Sequence, residues 1–349
     1  MTQVPRVLIQ SYLEDPSSAA AREACAVVAA ALRDIGVVRL VHPHNDLALT
    51  QRLRDRSVDF YRLPVEEKRK MDRPDTGRNC GWSPPFTEKP GPREAARARL
   101  APDQAPLPLL GPDPKERYMM PIGPAPMRTD FAAYNLKEPV YPEGFADWVR
   151  DAQTWGLQSL EIVFALIRMA TIGLGVEDAE LFTRLMEGGP HVFGPTGCDL
   201  SLHGKPGTVI AGFHTDMGFG TIHAPSNSPG LRVWTRDLQR IDVAMEPDEL
   251  LFQAGRQFEI CTGGVVLAGF HEVVATERMR PLIEREQAQG KVPWRVSVTM
   301  FNHVASDQML EPKGVFDTPE ARELYRDDIM LAGERMRRQL KKRGLEPTG

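Results

Sequence analysis

From Gly189 onward the chain is cut into short runs of strand-forming residues. Gly, Pro, Asn and Asp separate them at intervals of about 8–12 residues. The runs fall at 199–203, 208–213, 220–224, 231–235, 241–244, 250–253, 265–271 and 295–302. Short strands with even turn spacing predict a sandwich or a jelly roll, because each strand has one face to bury against a second sheet.

The sequence before Gly189 has a different texture. A strand is expected at 6–10 and a second at 37–41. An Ala-rich helix at 16–34 lies between them, with Pro16 and Ser17 at its start and Gly36 closing it. Asn45 or Asp46 caps a further helix running to about Tyr61, and Pro64 starts a short one. Residues 72–142 are rich in Pro, Gly and charge and show little periodicity. So long a connection is either a lid over a site or a solvated surface loop. From 142 to 173, Trp148, Ala152, Trp155, Leu160, Val163, Leu166, Ile167 and Ala170 recur at three- and four-residue steps, the pattern of a core-facing helix. A shorter helix is expected at 177–187, an inserted one at 276–289 and a basic one at 332–343.

The expected class is therefore α+β: a double-stranded β-helix (jelly-roll) core with a helical N-terminal part and flanking helices. No linker divides it. We read one unit, with a leader region and long loop (1–140), scaffold helices (141–190), the jelly-roll core (191–305) and a helical tail (306–349).

Composition narrows the function. The 349 residues carry a net charge of −4, which argues against a generally basic nucleic-acid binder. Cys25, Cys80, Cys198 and Cys261 are scattered, with no C-x-x-C pair, so neither a disulfide framework nor a cysteine zinc site is expected. The N-terminus lacks a signal-like apolar run, and the most apolar stretch, 160–175, is broken by Glu161 and Arg168. A soluble, cytoplasmic protein with no membrane or nucleic-acid partner is the expectation. Gly204-Lys205-Pro206-Gly207-Thr208 lacks phosphate-loop spacing and reads as a hairpin turn.

Among eight histidines, the informative arrangement is His214-Thr215-Asp216 with His271 on a later strand. In extended chain, residues i and i+2 share a face, so His214 and Asp216 can aim at one point. Two imidazoles and a carboxylate leave three adjacent coordination positions open, the arrangement of non-haem Fe(II) oxygenases. Taken alone, an H-x-D triplet is equally compatible with surface or hydrogen-bonded core residues. The context adds Gly212-Phe213 before it and Met217-Gly218 after it, as a turn between strands needs. It also adds Arg295 and Ser297, which share a face on the last strong strand and can grip one carboxylate.

The segments GFHTD, TGGVVLAGFHEVV and WRVSVTMF, with a leader of strand, helix, Gly36-Val-Val-Arg-Leu and Phe60-Tyr-Arg-Leu-Pro-Val-Glu-Glu-Lys, resemble the isopenicillin N synthase-like branch of the Fe(II)- and 2-oxoglutarate-dependent dioxygenases. The resemblance covers roughly residues 5–70 and 145–305. It implies His214, Asp216 and His271 as iron ligands. It also implies Arg295 and Ser297 as the clamp on the distal carboxylate of 2-oxoglutarate, whose other end would chelate iron. The implied activity couples decarboxylation of 2-oxoglutarate to succinate, with O2 as the second co-substrate, to hydroxylation, desaturation or ring formation on a small molecule. With Asp216 present, halogenation is not expected. Two alternatives stand beside it: an Fe(II) oxidase of the same fold that uses no 2-oxoglutarate, and a jelly-roll binding protein without turnover. A zinc hydrolase on the same triad is a minor third.

The sequence departs from the family at three points. Glu272 stands where the family has Arg after the distal His, and is expected to alter hydrogen bonding around the ligand. The stretch between His271 and Arg295 is long. The segment at 199–204 has no counterpart of a family tyrosine that contacts 2-oxoglutarate; Ser201 or His203 is the candidate substitute. Phe213, Met217, Phe219, His223, Phe301 and, from the long loop, Trp82 are the candidate pocket residues; the Phe and Met residues are equally readable as ordinary core, His223 more readily as a satisfied core histidine, and Trp82 equally as a surface anchor. Asn79 and Phe86 sit in the same loop. Arg256 and Gln257 follow Gly255 at the expected barrel mouth.

Overall fold

The computed structural model describes residues 3–43, 45–88, 94–108, 111–136, 138–342 and 345. His44, parts of the long loop (89–93, 109–110, 137) and Arg343 of the basic tail lie outside the described residues.

The strands are β1 Arg6–Leu8, β2 Val37–Val41, β3 Gly81–Ser83, β4 Glu116–Pro121, β5 Val192–Phe193, β6 Thr196–Asp199, β7 Val209–His214, β8 Gly220–His223, β9 Leu231–Trp234, β10 Arg240–Asp242, β11 Glu249–Ala254, β12 Phe270–Val274, β13 Trp294–Ser297 and β14 Thr299–Asn302. The larger sheet runs β1-β2-β11-β8-β14-β5-β4-β6-β13, with β3 on β4, and the smaller runs β10-β9-β12-β7. Residues of both sheets border one cavity, which therefore lies between them.

The N-terminal part is joined to this core through its backbone. β1 and β2 pair in parallel across the Ala19–Asp34 helix, and β2 continues into the larger sheet by pairing with β11. Ser18 caps that helix by accepting the Ala21 N–H. Its stripe of Ala21, Cys25, Val28, Ala31 and Leu32 is buried. Gly36 makes the turn into β2 at φ +74°, and a Cβ there would lie 2.3 Å from the Leu267 carbonyl oxygen. Asp46 caps the Leu47–Tyr61 helix by accepting the Leu49 N–H, as its sequence position predicts.

The Ala146–Gly173 helix is long and apolar enough to cross a membrane by length and composition. In this fold it buries Trp148, Trp155, Val163, Leu166, Ile167 and Ala170 against the two N-terminal helices and the sheet. Phe60 stacks on Trp148 at 5.1 Å between ring centroids. All four cysteines are buried, and none forms a disulfide among the described residues.

Several elements differ from expectation for local reasons. β6 ends at Asp199, whose carboxylate accepts the Ser201 N–H and starts the helical turn Leu200–His203. β12 begins only at Phe270, because Gly263 and Gly264 take φ +56° and +86° and hold a turn before it. The 177–187 helix shrinks to Thr183–Met186, since Asp178 accepts the Glu180 N–H in a side-chain turn. The long loop is no plain loop: it carries β3 and β4, and β4 is inserted between β5 and β6.

Candidate metal and 2-oxoacid site

His214 ends β7, and His271 stands directly opposite it on β12, so one cross-strand pair supplies both imidazoles. Their ring centroids are 4.1 Å apart. Asp216 lies just past the strand end, in a turn fixed from outside by backbone. The Arg256 N–H donates to Asp216 O (2.9 Å), Gln257 N–H to Gly218 O (3.0 Å) and Phe219 N–H to Asn302 O (2.7 Å). Asp216 Oδ1 is 3.7 Å from His214 Nε2 and 3.9 Å from His271 Nε2. One ligand atom from each of the three residues falls within 4.8 Å of the others, the only such group among the described residues.

The protonation pattern follows from the neighbours. His214 Nδ1 faces Gly212 O at 2.6 Å and His271 Nδ1 faces Gly269 O at 3.2 Å. A carbonyl only accepts, so His214 Nδ1 carries the hydrogen, whereas His271 Nδ1 lies between the Gly269 carbonyl and the Gln253 amide nitrogen. Burial works against the charged form of Asp216, but the two imidazoles and the Thr221 hydroxyl outweigh it and hold the carboxyl below its usual range. Burial likewise lowers His271, against the pull of Asp216. Two imidazoles and one carboxylate, converging with open space beside them, fit a divalent iron. Gln253 of β11 contacts both Asp216 Oδ2 (3.3 Å) and His271 Nδ1 (2.7 Å), a link that nothing in the sequence marks.

The cavity beside the triad encloses about 1210 Å³ including its open mouth. Arg295 and Ser297 border it from β13. Arg295 is 6% exposed, and among the described residues its donors reach Pro229 O and Ser226 Oγ alone, both at 3.3 Å. Burial without a carboxylate opposite lowers its pKa to about 10, still charged at neutral pH. A buried guanidinium at a cavity, with no carboxylate opposite it among the described residues, has the chemistry to hold an anion.

Of the candidate pocket residues, Met217, His223 and Phe301 border the cavity. Phe213, Phe219 and Trp82 do not. Phe213 precedes His214 and so points to the other face of the sheet, stacked on Phe270 at 4.6 Å. Phe219 stacks on Phe258 at 4.4 Å. Trp82 is buried in β3 and donates its indole N–H to Glu116 Oε2 (2.7 Å). Asn79 borders the cavity, whereas Phe86 is 54% exposed. Ser201 and His203 sit on the Leu200–His203 turn, outside the cavity lining. Arg256 pairs with Glu259 and Asp328, and Gln257 accepts the Val304 N–H, so neither faces the site. Glu272 turns away from the ligands to Arg232 (3.2 Å) and accepts the Leu107 N–H (3.2 Å), so it ties down the long connection.

Sequence reasoning missed the cavity wall made by the long connection. Arg117 and Met119 alternate inward on β4, and Lys115 is ion-paired to Glu88 (3.0 Å) and Asp113 beside them. Asp113 also accepts the Gly212 N–H (3.0 Å), which braces the strand that carries His214. The apolar Tyr118-Met119-Met120 run was the available signal, masked by the surrounding prolines. The far wall is Met336, Leu340 and Leu345, packed on Met217.

One cavity thus pairs a His-Asp-His cluster able to hold a metal with a buried arginine able to hold an anion. Residues 4–106 match the N-terminal region of a non-haem dioxygenase in morphine synthesis. No curated protein sequence matches the chain. Among solved structures, a full-length Neurospora crassa protein in complex with alpha-KG superposes with a TM-score of 0.73 at 19% identity, over 97% of this chain and 96% of that one. A protein from Caulobacter crescentus, assigned to the 2OG-Fe(II) oxygenase family, gives 0.75 at 20% identity, over 98% and 99%. The Arabidopsis thaliana dioxygenase for auxin oxidation 1, bound to 2-oxoglutarate, gives 0.62 at 17%, over 91% and 99%. The chain is thus similar over residues 4–106 to the N-terminal region of non-haem dioxygenases, and similar in fold to solved 2-oxoglutarate Fe(II) oxygenases. These matches do not select the isopenicillin N synthase-like branch within them.

Proposed function

We propose that this protein is an Fe(II) dioxygenase with a jelly-roll core that couples oxidative decarboxylation of 2-oxoglutarate to oxidation of a small organic molecule. The observation that carries the reading is the pairing, in one cavity, of the His214–Asp216–His271 cluster with a buried Arg295 that has no acidic partner among the described residues. His214, Asp216 and His271 would hold the iron, and Arg295 with Ser297 would hold the distal carboxylate of 2-oxoglutarate. The bound iron supplies O2 activation at the expense of the 2-oxoacid.

The chain's own groups do the positioning. The Gly212 carbonyl fixes the His214 tautomer, Gly269 and Gln253 hold the His271 ring at Nδ1, and Thr221 and Gln253 orient the Asp216 carboxylate. Met119, Met217, Phe301 and Leu340 give the cavity an apolar wall that limits water around the reacting atoms. The Neurospora protein was solved with thymine and JOX2 with JA; these small ligands support a small-molecule substrate here.

The test is succinate formation from 2-oxoglutarate under air with added Fe(II), read alongside 2-oxoglutarate consumption. Even without a prime substrate, slow uncoupled turnover is expected from wild type and none from His214→Ala or His271→Ala. Equal succinate from wild type and both variants would remove the triad from the reaction.

A further inference from the structure

His223 is a third polar group at the Arg295 end of the cavity. It closes β8 in register with Thr299 of β14, and the next residue, Ala224, donates its N–H to Val298 O at 3.0 Å. His223 therefore runs alongside the chain that carries Arg295 and Ser297. It shares a strand face with Thr221, whose hydroxyl reaches Asp216, and so lies one step further from the triad toward Arg295. His223, Arg295 and Ser297 all border both the main cavity and a second, outer one beside Ser226 and Ser228. His223 Nε2 is buried and has no hydrogen-bond partner among the described residues. Buried polar atoms are almost always paired, and an orphan at a cavity points to a ligand.

Resting on the 2-oxoglutarate reading above, we infer that His223 donates a hydrogen bond to the distal carboxylate of 2-oxoglutarate, as a third donor beside Arg295 and Ser297. Burial first, and then His271 and Arg295 nearby, push the His223 pKa down to about 4 despite Asp216, so the ring is neutral at working pH. A neutral imidazole supplies one N–H donor without adding a second positive charge against Arg295. A carboxylate has lone pairs enough for all three donors. The polar contact expected from a tyrosine, absent near residue 199, would then come from a different strand.

Anaerobic calorimetry on the Fe(II)-loaded protein tests this. 2-Oxoglutarate is titrated into wild type, His223→Leu and His223→Gln, with Fe(II) affinity and melting temperature measured for each. The Leu variant should weaken 2-oxoglutarate binding about tenfold or more, as loss of a hydrogen bond to a charged group does, and Gln should restore most of it. 2-Oxobutanoate, which has the 2-oxoacid head without the distal carboxylate, should bind wild type and the Leu variant alike. If the Leu variant does not fold, His223→Met replaces it. No binding of 2-oxoglutarate to wild type would sink the functional reading itself. Binding to wild type with no loss in the Leu variant would overturn the His223 assignment alone. A parallel loss of 2-oxobutanoate would place His223 at the metal end and equally overturn it.

Discussion

Arg295 is a buried cation that the fold alone gives no reason to keep. Its guanidinium meets a carbonyl and a hydroxyl, neither of which compensates a charge taken out of water. Arg295→Met should therefore leave the melting temperature unchanged or raise it, while 2-oxoglutarate binding falls about a hundredfold through loss of a charge-assisted pair. A melt lowered by many degrees with binding intact would mean that Arg295 is structural. His191 shows the opposite case, a buried polar group with its partners inside the protein. It accepts the His303 N–H at 3.2 Å, and Nε2 lies 3.0 Å from Met186 O. Burial, then His303 nearby, lowers its pKa from 6.5 to about 3. The folded state thus refuses a proton that the unfolded chain takes up near 6.5. The stability His191 confers is full above that pH and drains between about 6.5 and 3, with a slope of about 1.4 kcal/mol per pH unit. His191→Gln should flatten the acid side of the stability curve in pH-dependent denaturant melts; an unchanged slope would exclude His191 as its source. At this scale His214-x-Asp216 and Arg295-x-Ser297 were readable as pairs, because strand period brings i and i+2 to one face, while His271 joined them as a ligand through the family resemblance. Gln253, Asp113 and His303 were not, since their partners are far away in sequence.

Elements show why the remaining site residues escaped a reading of the sequence. β4 lies in a stretch dense in proline, where local composition says loop, and only tertiary pairing with β5 and β6 makes it a strand. The helices at 19–34, 47–61 and 146–173 were legible because capping side chains and the 3.6-residue period are local signals. Glu272 is instructive at this level. Its neighbour His271 points into the cavity, so Glu272 must face outward, where it holds Arg232 and the backbone at Leu107. Close by, Gln104 accepts the Trp234 indole N–H and the Arg240 N–H, so the connection is pinned across the smaller sheet. Glu272→Ala should cost about 1–3 kcal/mol of stability and speed proteolysis near residues 104–108, with Fe(II) affinity within about threefold of wild type. A large drop in iron affinity would instead mean that Glu272 tunes the metal, as its sequence position suggests.

For the whole molecule, the leader is stitched to the core by β2, which pairs with β1 on one side and β11 on the other. Gln253 of β11 in turn touches the triad. We propose one cooperative unit, so calorimetric melting should show a single transition. A divalent metal bound only by the folded chain should raise that transition, by about 2.7 kcal/mol of stability at a hundredfold excess over Kd, and His271→Ala should abolish the gain. Two separated transitions would show that leader and core melt apart. The central claim is that one cavity holds iron at His214, Asp216 and His271 and 2-oxoglutarate at Arg295. Anaerobic titration with Fe(II) and then 2-oxoglutarate, followed by visible absorption, addresses it most directly. The account predicts that iron binds, that adding 2-oxoglutarate produces a weak visible charge-transfer band, and that the band vanishes in His271→Ala and Arg295→Ala. Iron binding with no band on adding 2-oxoglutarate, or a band undiminished in Arg295→Ala, would contradict it.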